Sequence, residues 1–493
     1  MNFKEIPTGT KVPGFYAEID NSRAAGSSVM PWKVLVIGQT VKSAKCEPTL
    51  ITSDEDADTK FGAGSQLALM IRAYRKNQTG IETYALPLAD VAGDKASLSV
   101  DVGGPATVSG EIVLVVDGVR VKTTVSANQA ANTIAGNIVT AINAKAQLPV
   151  TASATTNGFK LEAKNAGTCG NEISVSVGKT ASDIVPDGVT LKVGSADLES
   201  AMLASGTGAP DLSESGVNVV SLIANQWYNV IVAGVNDDDN VKILEEELDA
   251  RWTALRQELG ILFFGKSFAN VADAQTYYVA RNSQVCIPVC LIGAPRSSWE
   301  RAAAVAGVAA DSAKQDPAMP IGNVELIGET APDEKNDLSF EEKQVLLDAG
   351  CSGIDADKTT RTVYVRRLVT EYKKNAAGAA DQSYMQPETI FCLSYFRWAW
   401  NNRMASKYSR AKCANDEAKF GIGQVILRPS TVKAEAISFY KDMCDAGICQ
   451  GYEYFVENVE CEIDANDKNR INVLLPPEFI KQMFVLASII QFA

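Results

Sequence analysis

The sequence predicts a multidomain α/β protein with a largely parallel sheet, and three observations support this. Apolar runs typical of buried strands alternate with helical periodicity over residues 32–92 and again over 206–375. Between them, residues 93–205 differ in composition and contain the short alternating runs of a β-rich insertion. The 493 residues are also enough for about three domains. Because strands and helices alternate, we expect right-handed crossovers between parallel strands.

Composition excludes several classes of function. The chain is 46% apolar and 21% charged, which is ordinary for a globular protein. It has no histidine, which excludes Ser-His-Asp and Cys-His catalysis, histidine-ligated zinc and an imidazole pH switch. The net charge of −13 disfavours binding to nucleic acid or to an anionic membrane. We therefore expect no nucleic-acid partner and no membrane contact.

The ten cysteines are scattered and form no CxxC motif, which favours free thiols in a reducing compartment. Cys286 and Cys290 lie in an apolar run, so we interpret them as buried residues rather than as zinc ligands or a disulfide. The N-terminus lacks the basic and apolar regions of a signal peptide. No apolar run near the C-terminus reaches the roughly 20 residues of a membrane helix. These features predict a protein made or assembled in the cytosol.

Residues 1–31 are predicted to form an extended N-terminal arm, because three prolines disfavour helix there. A short alternating strand within this arm contains Phe15, Tyr16 and Ile19. The α/β middle domain then begins, and its first predicted elements are a strand over 33–38, a helix over 65–76 and a strand over 82–86.

The segment that interrupts the α/β pattern is poor in aromatic residues. From residue 85 to 226 the only aromatic residue is Phe159. The pair Asp117-Gly118 is typical of a type I′ turn and predicts a hairpin over 112–125. We interpret 93–205 as an inserted β-rich outer domain, and its lack of aromatic residues suggests that it is exposed and lightly packed.

The α/β pattern resumes after residue 210. Residues 217–226 fit either a helix or a buried strand, and a helix is favoured because a strand over 228–233 follows directly. The other predicted elements are helices over 240–259, 271–282, 298–314 and 339–348 and strands over 261–264, 285–292 and 362–369.

Residues 376–477 are predicted to be an α+β domain rich in aromatic residues, which begins in a linker at 375–381. Its predicted elements are helices over 387–414 and 431–444 and a hairpin over 459–475. After Pro476-Pro477 a second arm, 478–493, ends the chain. Its exposed apolar candidates are Phe484, Val485, Leu486, Ile489, Ile490 and Phe492. Since unpaired strands are a liability, we expect both arms to pair, either within the chain or with another subunit.

Two motifs suggest ligand sites, and each has a plainer interpretation. Gly260–Ser267 fits the pattern GxxxxGK[ST], but its four variable residues are Ile, Leu, Phe and Phe, which favour a buried strand. Because the pattern is nevertheless complete, a P-loop NTPase that uses this motif remains an alternative function. Asn236–Asn240 could bind calcium, but it lacks the glycine and glutamate of an EF-hand, so we interpret it as a helix cap. We predict no catalytic residue, cofactor or metal.

Positive charge is concentrated in the 387–414 helix. Five basic residues fall in a stretch without acidic residues, namely Arg397, Arg403, Lys407, Arg410 and Lys412. Arg403, Lys407 and Arg410 have the spacing of one helix face. This face is either solvated or a docking surface for an acidic protein.

Motifs along most of the chain resemble one known family. They are Ile6-Pro7, Val12–Tyr16, Asp20–Ala24, Leu346–Gly350 and Asn469–Pro477, with Asp117-Gly118, Leu148–Val150 and Ala166–Asn171 in the insertion. Together they are similar to the contractile-tail sheath proteins of Mu-type phages. The middle domain of that family is often described as subtilisin-like, but a chain without histidine cannot form such a triad.

The resemblance implies a structural subunit rather than an enzyme. It implies stacked hexameric rings around a tail tube, terminal arms that add strands to neighbouring sheath subunits, and one contraction that drives the tube through the host envelope for genome ejection. The implied partners are the tail tube protein, which Arg403, Lys407 and Arg410 would face, and the baseplate and tail terminator proteins. The implied location is the virion tail, assembled in the host cytoplasm. A monomeric binding protein with self-paired ends is the other alternative.

Overall fold

The computed structural model describes residues 30–180, 182–213, 218–421 and 423–492. It has a mixed α/β architecture with several sheets. Apolar side chains in the described residues collect into separate buried clusters, one on each face of a central sheet, one inside the insertion and one near the C-terminus.

The central sheet has six strands, five of which are parallel to one another. In spatial order they are Cys286–Val289, Ile261–Gly265, Val230–Ala233, Lys33–Gln39, Glu82–Leu88 and Thr49–Ile51. Helices cover both faces, which explains why the central strands are continuous apolar runs rather than alternating ones. The helices of this part are Asp54–Phe61, Gln66–Asn77, Val219–Ile223, Asp238–Trp252, Val271–Val279, Ser298–Gln315 and Phe340–Asp348.

Three predicted helices of this part are shorter than expected, and one of them, expected over 271–282, is Val271–Val279. The helix expected over 217–226 is Val219–Ile223, and residues 214–217 lie outside the described part. The helix expected over 240–259 is Asp238–Trp252. It ends early because the chain turns back toward the next strand, with Gln257 in the left-handed region at φ 57°.

The insertion forms two antiparallel sheets and one helix, Ala131–Asn143. Its strands are Ser97–Gly103, Gly110–Val116, Val119–Val125, Val150–Ala154, Gly158–Ala163, Ser174–Val177, Thr190–Val193, Ala196–Asp197 and Ser200–Met202, with a 3₁₀ turn at Thr168–Glu172. The predicted hairpin is confirmed, and its turn residues Asp117 and Gly118 have φ 48° and 72°. Positive φ at both positions is the geometry of a type I′ turn.

The expectation of a lightly packed insertion is wrong. Its core contains buried aliphatic residues drawn from 96 to 203, and Phe159 at its centre has no exposed surface. Isoleucine, valine and leucine fill the space between the two sheets and the helix. The absence of other aromatic residues therefore reports the size of the side chains, not the density of their packing.

The chain enters and leaves the insertion at one place. The backbone N–H of Thr207 donates to the carbonyl of Asp94 at 3.1 Å, and the backbone N–H of Asp94 donates to the Thr207 hydroxyl at 3.0 Å. We call this paired crossing, Asp94 with Thr207, the neck. It holds the two connecting segments side by side.

Beyond the neck, polar groups join the insertion to the central part. Asp117 Oδ1 accepts from the Ser297 backbone N–H at 2.8 Å and from the Ser297 hydroxyl at 2.7 Å. Glu172 Oε2 accepts from the Ser298 backbone N–H at 3.0 Å and from the Ser298 hydroxyl. Both serines lie at the start of the helix Ser298–Gln315, whose N-terminus attracts negative charge. We call these contacts the junction.

The remaining elements follow helix Phe340–Asp348 or lie just before it. A small antiparallel sheet contains Val324–Glu325, Gly353–Ala356 and Val363–Arg367, and Glu334–Asn336 is a 3₁₀ turn. The C-terminal elements are helices Pro387–Tyr408, Pro429–Asp445 and Tyr452–Asn458 and the strand pairs Lys412–Cys413 with Ile426–Leu427, Cys449–Gln450 with Glu478–Phe479, and Glu460–Ile463 with Ile471–Leu474.

The helix predicted over 387–414 ends at Tyr408. It stops because Lys412–Cys413 pairs in parallel with Ile426–Leu427, and a helix cannot supply that ladder. Aromatic residues hold this part together, and Tyr440 stacks on Phe455 with ring centroids 3.7 Å apart. The predicted hairpin near the C-terminus is confirmed as Glu460–Ile463 with Ile471–Leu474.

Candidate assembly surfaces

The last residues of the chain expose apolar side chains. After the short strand Glu478–Phe479, the described residues 480–492 contain no helix or strand. The exposed fraction is 80% for Val485, 78% for Leu486, 90% for Ile489, 89% for Ile490 and 96% for Phe492. No other part of the described chain covers these side chains.

Three contacts hold the beginning of this segment on the body. Ile480 N–H donates to the Ile448 carbonyl at 3.1 Å, and Gln482 Nε2 donates to the Ala318 carbonyl at 3.1 Å. The Arg367 guanidinium lies over the Phe484 ring, 4.7 Å from its centroid. The chain is therefore anchored as far as Phe484 and extends away from its own body after it. The N-terminal candidates Phe15, Tyr16 and Ile19 lie outside the described residues.

The hairpin Glu460–Ile463 with Ile471–Leu474 is a sheet of only two strands. It packs on the helix Pro429–Asp445, and among the described residues neither outer edge has a further strand beside it. Leu474 is 56% exposed. An isolated two-stranded sheet is marginally stable and offers its open edges to another strand.

The basic face on the helix Pro387–Tyr408 is largely neutralised within the chain. Arg403 pairs with Glu435 and with Asp442, the latter at 2.5 Å, and Lys407 pairs with Glu435 at 2.6 Å. Burial raises the pKa of Glu435, but the hydrogen bonds from Lys407 and Arg403 outweigh it and hold that pKa below its usual value. Much of the positive charge of Arg403 and Lys407 is therefore balanced within the chain, because the facing helix Pro429–Asp445 supplies carboxylates.

Uncompensated positive charge lies beyond the end of that helix. Arg410, Lys412 and Lys419 are exposed and form no ion pair with the described residues. Lys412 Nζ donates to Gln424 Oε1 at 2.6 Å, which leaves its charge uncancelled. Phe420 nearby is 46% exposed. We call Arg410, Lys412 and Lys419 the basic tip; of the three predicted tube-facing residues, it includes only Arg410.

Comparison with known proteins identifies the family. No family model matches the chain. The "Mu-like prophage FluMu tail sheath protein" of Haemophilus influenzae is 31% identical over 498 residues, covering 100% of this chain and 99% of that protein. The chain belongs to the family of Mu-like tail sheath proteins. The resemblance seen in its sequence motifs is thereby confirmed along the whole length.

Solved sheath structures are also similar to this sheath protein. A sheath tail protein from Desulfitobacterium hafniense is 13% identical, covers 96% of this chain and 100% of its own, and has a TM-score of 0.47. One from Listeria innocua is 14% identical, covers 92% of each chain and has a TM-score of 0.49. The contracted sheath complex of an extracellular contractile injection system is 12% identical, covers 99% and 98%, and has a TM-score of 0.49. The family assignment follows from the Haemophilus influenzae relative.

The motif Gly260–Ser267 lies in this sheath protein as a buried strand. Ile261–Gly265 is a parallel strand of the central sheet with every residue buried. A Cβ at Gly265 would lie 2.0 Å from the Ser298 carbonyl oxygen, so the glycine serves close packing rather than a phosphate. Lys266 Nζ lies over the Tyr277 ring, 4.1 Å from its centroid. The interpretation as a strand is confirmed.

The acidic segment Asn236–Asn240 caps a helix, as predicted. Asp237 accepts from the Asn240 backbone N–H, and the Asn240 side chain donates to the Pro210 carbonyl at 2.7 Å. In the ranges that the structure describes, no three metal-ligating side chains come together, and no helix is long and apolar enough to cross a membrane. Cys286 and Cys290 are free and buried, as expected of core thiols.

Sequence reasoning missed the junction. The Asp117-Gly118 pair predicts only a turn, and no local pattern points to Glu172. A signal existed at one position, since Asp117 belongs to a turn that would usually lie in solvent. Its partner Ser297 is 180 residues away in sequence, a separation that no local pattern reveals.

Proposed function

We propose that this chain polymerises as stacked hexameric rings around a tail tube and contracts to drive the tube through a host envelope for genome ejection. The observation that carries the proposal is the 31% sequence identity to a Mu-like tail sheath protein, which extends over the whole chain. A structural subunit, rather than an enzyme, also fits a chain that contains no histidine. The proposed partners are further sheath subunits, the tail tube protein, and the baseplate and tail terminator proteins.

We further propose a division of labour along the chain. The arms are 1–31 and 478–493, the middle domain is 32–92 with 206–375, the outer domain is 93–205, and the inner domain is 376–477. The separate buried cluster inside the insertion supports its status as a distinct unit. The neck also supports this status, because the chain leaves the middle domain and returns to it at one place.

The C-terminal arm is proposed to add a strand to the two-stranded hairpin of a neighbouring subunit. Exposed apolar residues at 485–492 and open edges on Glu460–Ile463 and Ile471–Leu474 support this pairing. Each backbone hydrogen bond contributes a net of about 0.5–1.5 kcal/mol, so five or six bonds contribute several kcal/mol for each arm. A contact from the end of one copy to the hairpin of the next does not close on itself and produces a helical polymer.

Contraction is proposed to draw on energy stored in the assembled polymer. In the nucleotide-like motif Gly260–Ser267, residues Ile261–Gly265 form a buried strand of the central sheet, which leaves no open loop to cradle a phosphate. A spring of this kind needs a metastable packing whose subunit contacts improve on rearrangement. The tube-facing surface is proposed to lie in the inner domain, with Arg410 contributing free charge and with Arg403 and Lys407 held in ion pairs.

Negative-stain electron microscopy of the purified full chain tests the proposal. We expect tubes with six subunits per ring to form without nucleotide. The variant Lys266→Ala should form the same tubes, because this lysine belongs to no phosphate site. A chain that remains monomeric at all protein concentrations, or tubes that require ATP hydrolysis, would contradict the proposal.

A further inference from the structure

The last strand of the chain is firmly held by the C-terminal elements. Glu478–Phe479 pairs with Cys449–Gln450, and the Phe479 ring lies against that of Phe396, with the centroids 5.8 Å apart. The Ile480 N–H donates to the Ile448 carbonyl at 3.1 Å. The segment that follows therefore starts from a fixed point.

Residues 481–484 lie on the body of the subunit by one face. Gln482 and Phe484 are half-buried, whereas Lys481 and Met483 are exposed. This alternation is typical of an extended segment that lies on a surface, because successive side chains of such a segment point in opposite directions. We call Gln482 and Phe484 the anchor.

Phe484 makes the larger contact of the anchor. The Arg367 guanidinium, at the end of the strand Val363–Arg367, lies over the Phe484 ring, 4.7 Å from its centroid. A cation in this position is attracted by the face of the ring. A Cβ at Gly322 would lie 3.2 Å from the same ring, so the ring packs where the body has a residue without a side chain.

Gln482 makes a weaker contact. Its Nε2 donates to the Ala318 carbonyl at 3.1 Å, but its Oε1 is buried and accepts no hydrogen bond from the described residues. A buried acceptor without a donor offsets much of what the donated bond contributes. Docking of this segment therefore depends mainly on Phe484, and one substitution can loosen it while the strand pairing before it remains.

We propose that the anchor sets the direction in which the arm leaves the subunit and presents residues 485–493 in a fixed orientation to the next copy of this chain. The inference rests on the proposed pairing of the arm with a neighbouring hairpin. In that pairing Gln482 and Phe484 orient the arm, and residues 485–493 make the contact with the neighbour.

The anchor favours assembly by shortening the flexible part of the arm. Without it, the free segment would begin at residue 481 and be longer by about half, which lowers the effective concentration of the arm at a neighbour by about twofold. Loss of a fixed direction lowers it further, because the segment must then be ordered at the moment of binding.

Trypsin cleavage after Lys481, in the full chain kept below the concentration at which tubes form, measures the docking directly. Cleavage follows the population of the open form, so Phe484→Ala and Gly322→Ala should each increase its rate by about tenfold relative to the unfolded chain. Gly322→Ala displaces the ring from the side of the body and leaves every side chain of the arm in place. Mass spectrometry quantifies the cleaved product.

Two matched controls should be cleaved as the wild type is. Met483→Ala changes the neighbouring side chain on the outward face of the segment, which is 72% exposed. Gly136→Ala adds a Cβ at a helix position where nothing lies within 4 Å. Unchanged cleavage after Lys481 in both anchor variants would overturn the proposal.

The critical concentration for tube formation, measured by light scattering, tests the consequence. It should rise by about two- to fivefold in Phe484→Ala and Gly322→Ala and stay unchanged in both controls. Wild-type critical concentrations in the anchor variants, together with loss of tubes on deletion of residues 485–493, would overturn the anchor alone. Normal tubes from the deletion would instead contradict the pairing of the arm, and the anchor with it.

Discussion

The insertion buries its apolar residues, whereas the C-terminal arm exposes them. In the insertion, Phe159 and Ile138 have no exposed surface, because two sheets and a helix close around them. In the arm, Ile490 and Phe492 are 89% and 96% exposed. The first region completes its core within its own segment, whereas the second can gain burial only from another molecule. Side chains of similar chemistry therefore stabilise one subunit in the first case and a polymer in the second.

Of the changes considered, deleting residues 485–493 should have the largest effect, because it removes the exposed apolar residues of the arm. Polymerisation should be lost completely, because each subunit loses several kcal/mol of contact with its neighbour. The anchored residues Ile480 and Phe484 remain, so the thermal midpoint of the monomer should not change. Electron microscopy and circular dichroism measure the two outcomes. Normal tubes from the truncated chain would show that the arm is not an assembly element.

The substitution Phe159→Ala tests the insertion, whose apolar residues are buried within the subunit. Removing a fully buried aromatic side chain costs about 3–5 kcal/mol, because a cavity replaces it. Denaturant unfolding should show a less stable insertion, whereas tube formation should persist below the unfolding transition. Val119→Ala, at a half-buried position of the same core, is the milder control. Loss of tubes by a still-folded Phe159→Ala would mean that the two regions are not independent.

A single proline in the arm separates backbone pairing from apolar contact. Ser488→Pro removes one N–H and constrains φ while leaving every apolar side chain in place. We expect the critical concentration for tube formation to rise by about tenfold, which corresponds to roughly 1.4 kcal/mol. Ser488→Ala is the matched control and should polymerise normally. Equal behaviour of the two variants would indicate that the arm binds without forming a ladder.

Charge reversal should give the smallest effect and distinguishes apolar from electrostatic contacts. Arg410→Glu with Lys412→Glu should weaken binding to a tail tube, since exposed charge pairs contribute about 0.2–1 kcal/mol each. High salt should mimic the change, because exposed charges are screened beyond about 10 Å at 0.1 M. Sheath-only tubes should be unaffected. Arg403→Glu should instead destabilise the subunit, because Glu435 and Asp442 lose their partner. Salt-independent binding to the tube would exclude this role for the basic tip.

The sequence predicts individual strands, helices and turns better than it predicts which of them lie next to one another. The strand Ile261–Gly265 and the turn at Asp117-Gly118 follow from local patterns, namely a continuous apolar run and a favoured turn pair. Burial of both sheet faces follows from the alternation of strands and helices. These features are local, and the structure agrees with them.

Contacts between distant segments account for the failures. Arg403 has no acidic residue near it in sequence, and its partner Glu435 is 32 residues away on a facing helix. The buried core of the insertion does not follow from its composition, because aromatic content is a poor guide to how well aliphatic side chains interdigitate. Helix ends were misplaced where the next strand, such as Lys412–Cys413, requires the chain to turn.

The neck makes the insertion a segment that can be exchanged as one unit. Because Asp94 and Thr207 already hydrogen-bond across the crossing, the chain could pass from one to the other through a short loop, and the central sheet would keep its strands and their order. A foreign domain whose own ends lie close together could occupy the same place. In a polymer of identical subunits such a passenger would be repeated at every lattice position, which makes this crossing a natural graft point for multivalent display.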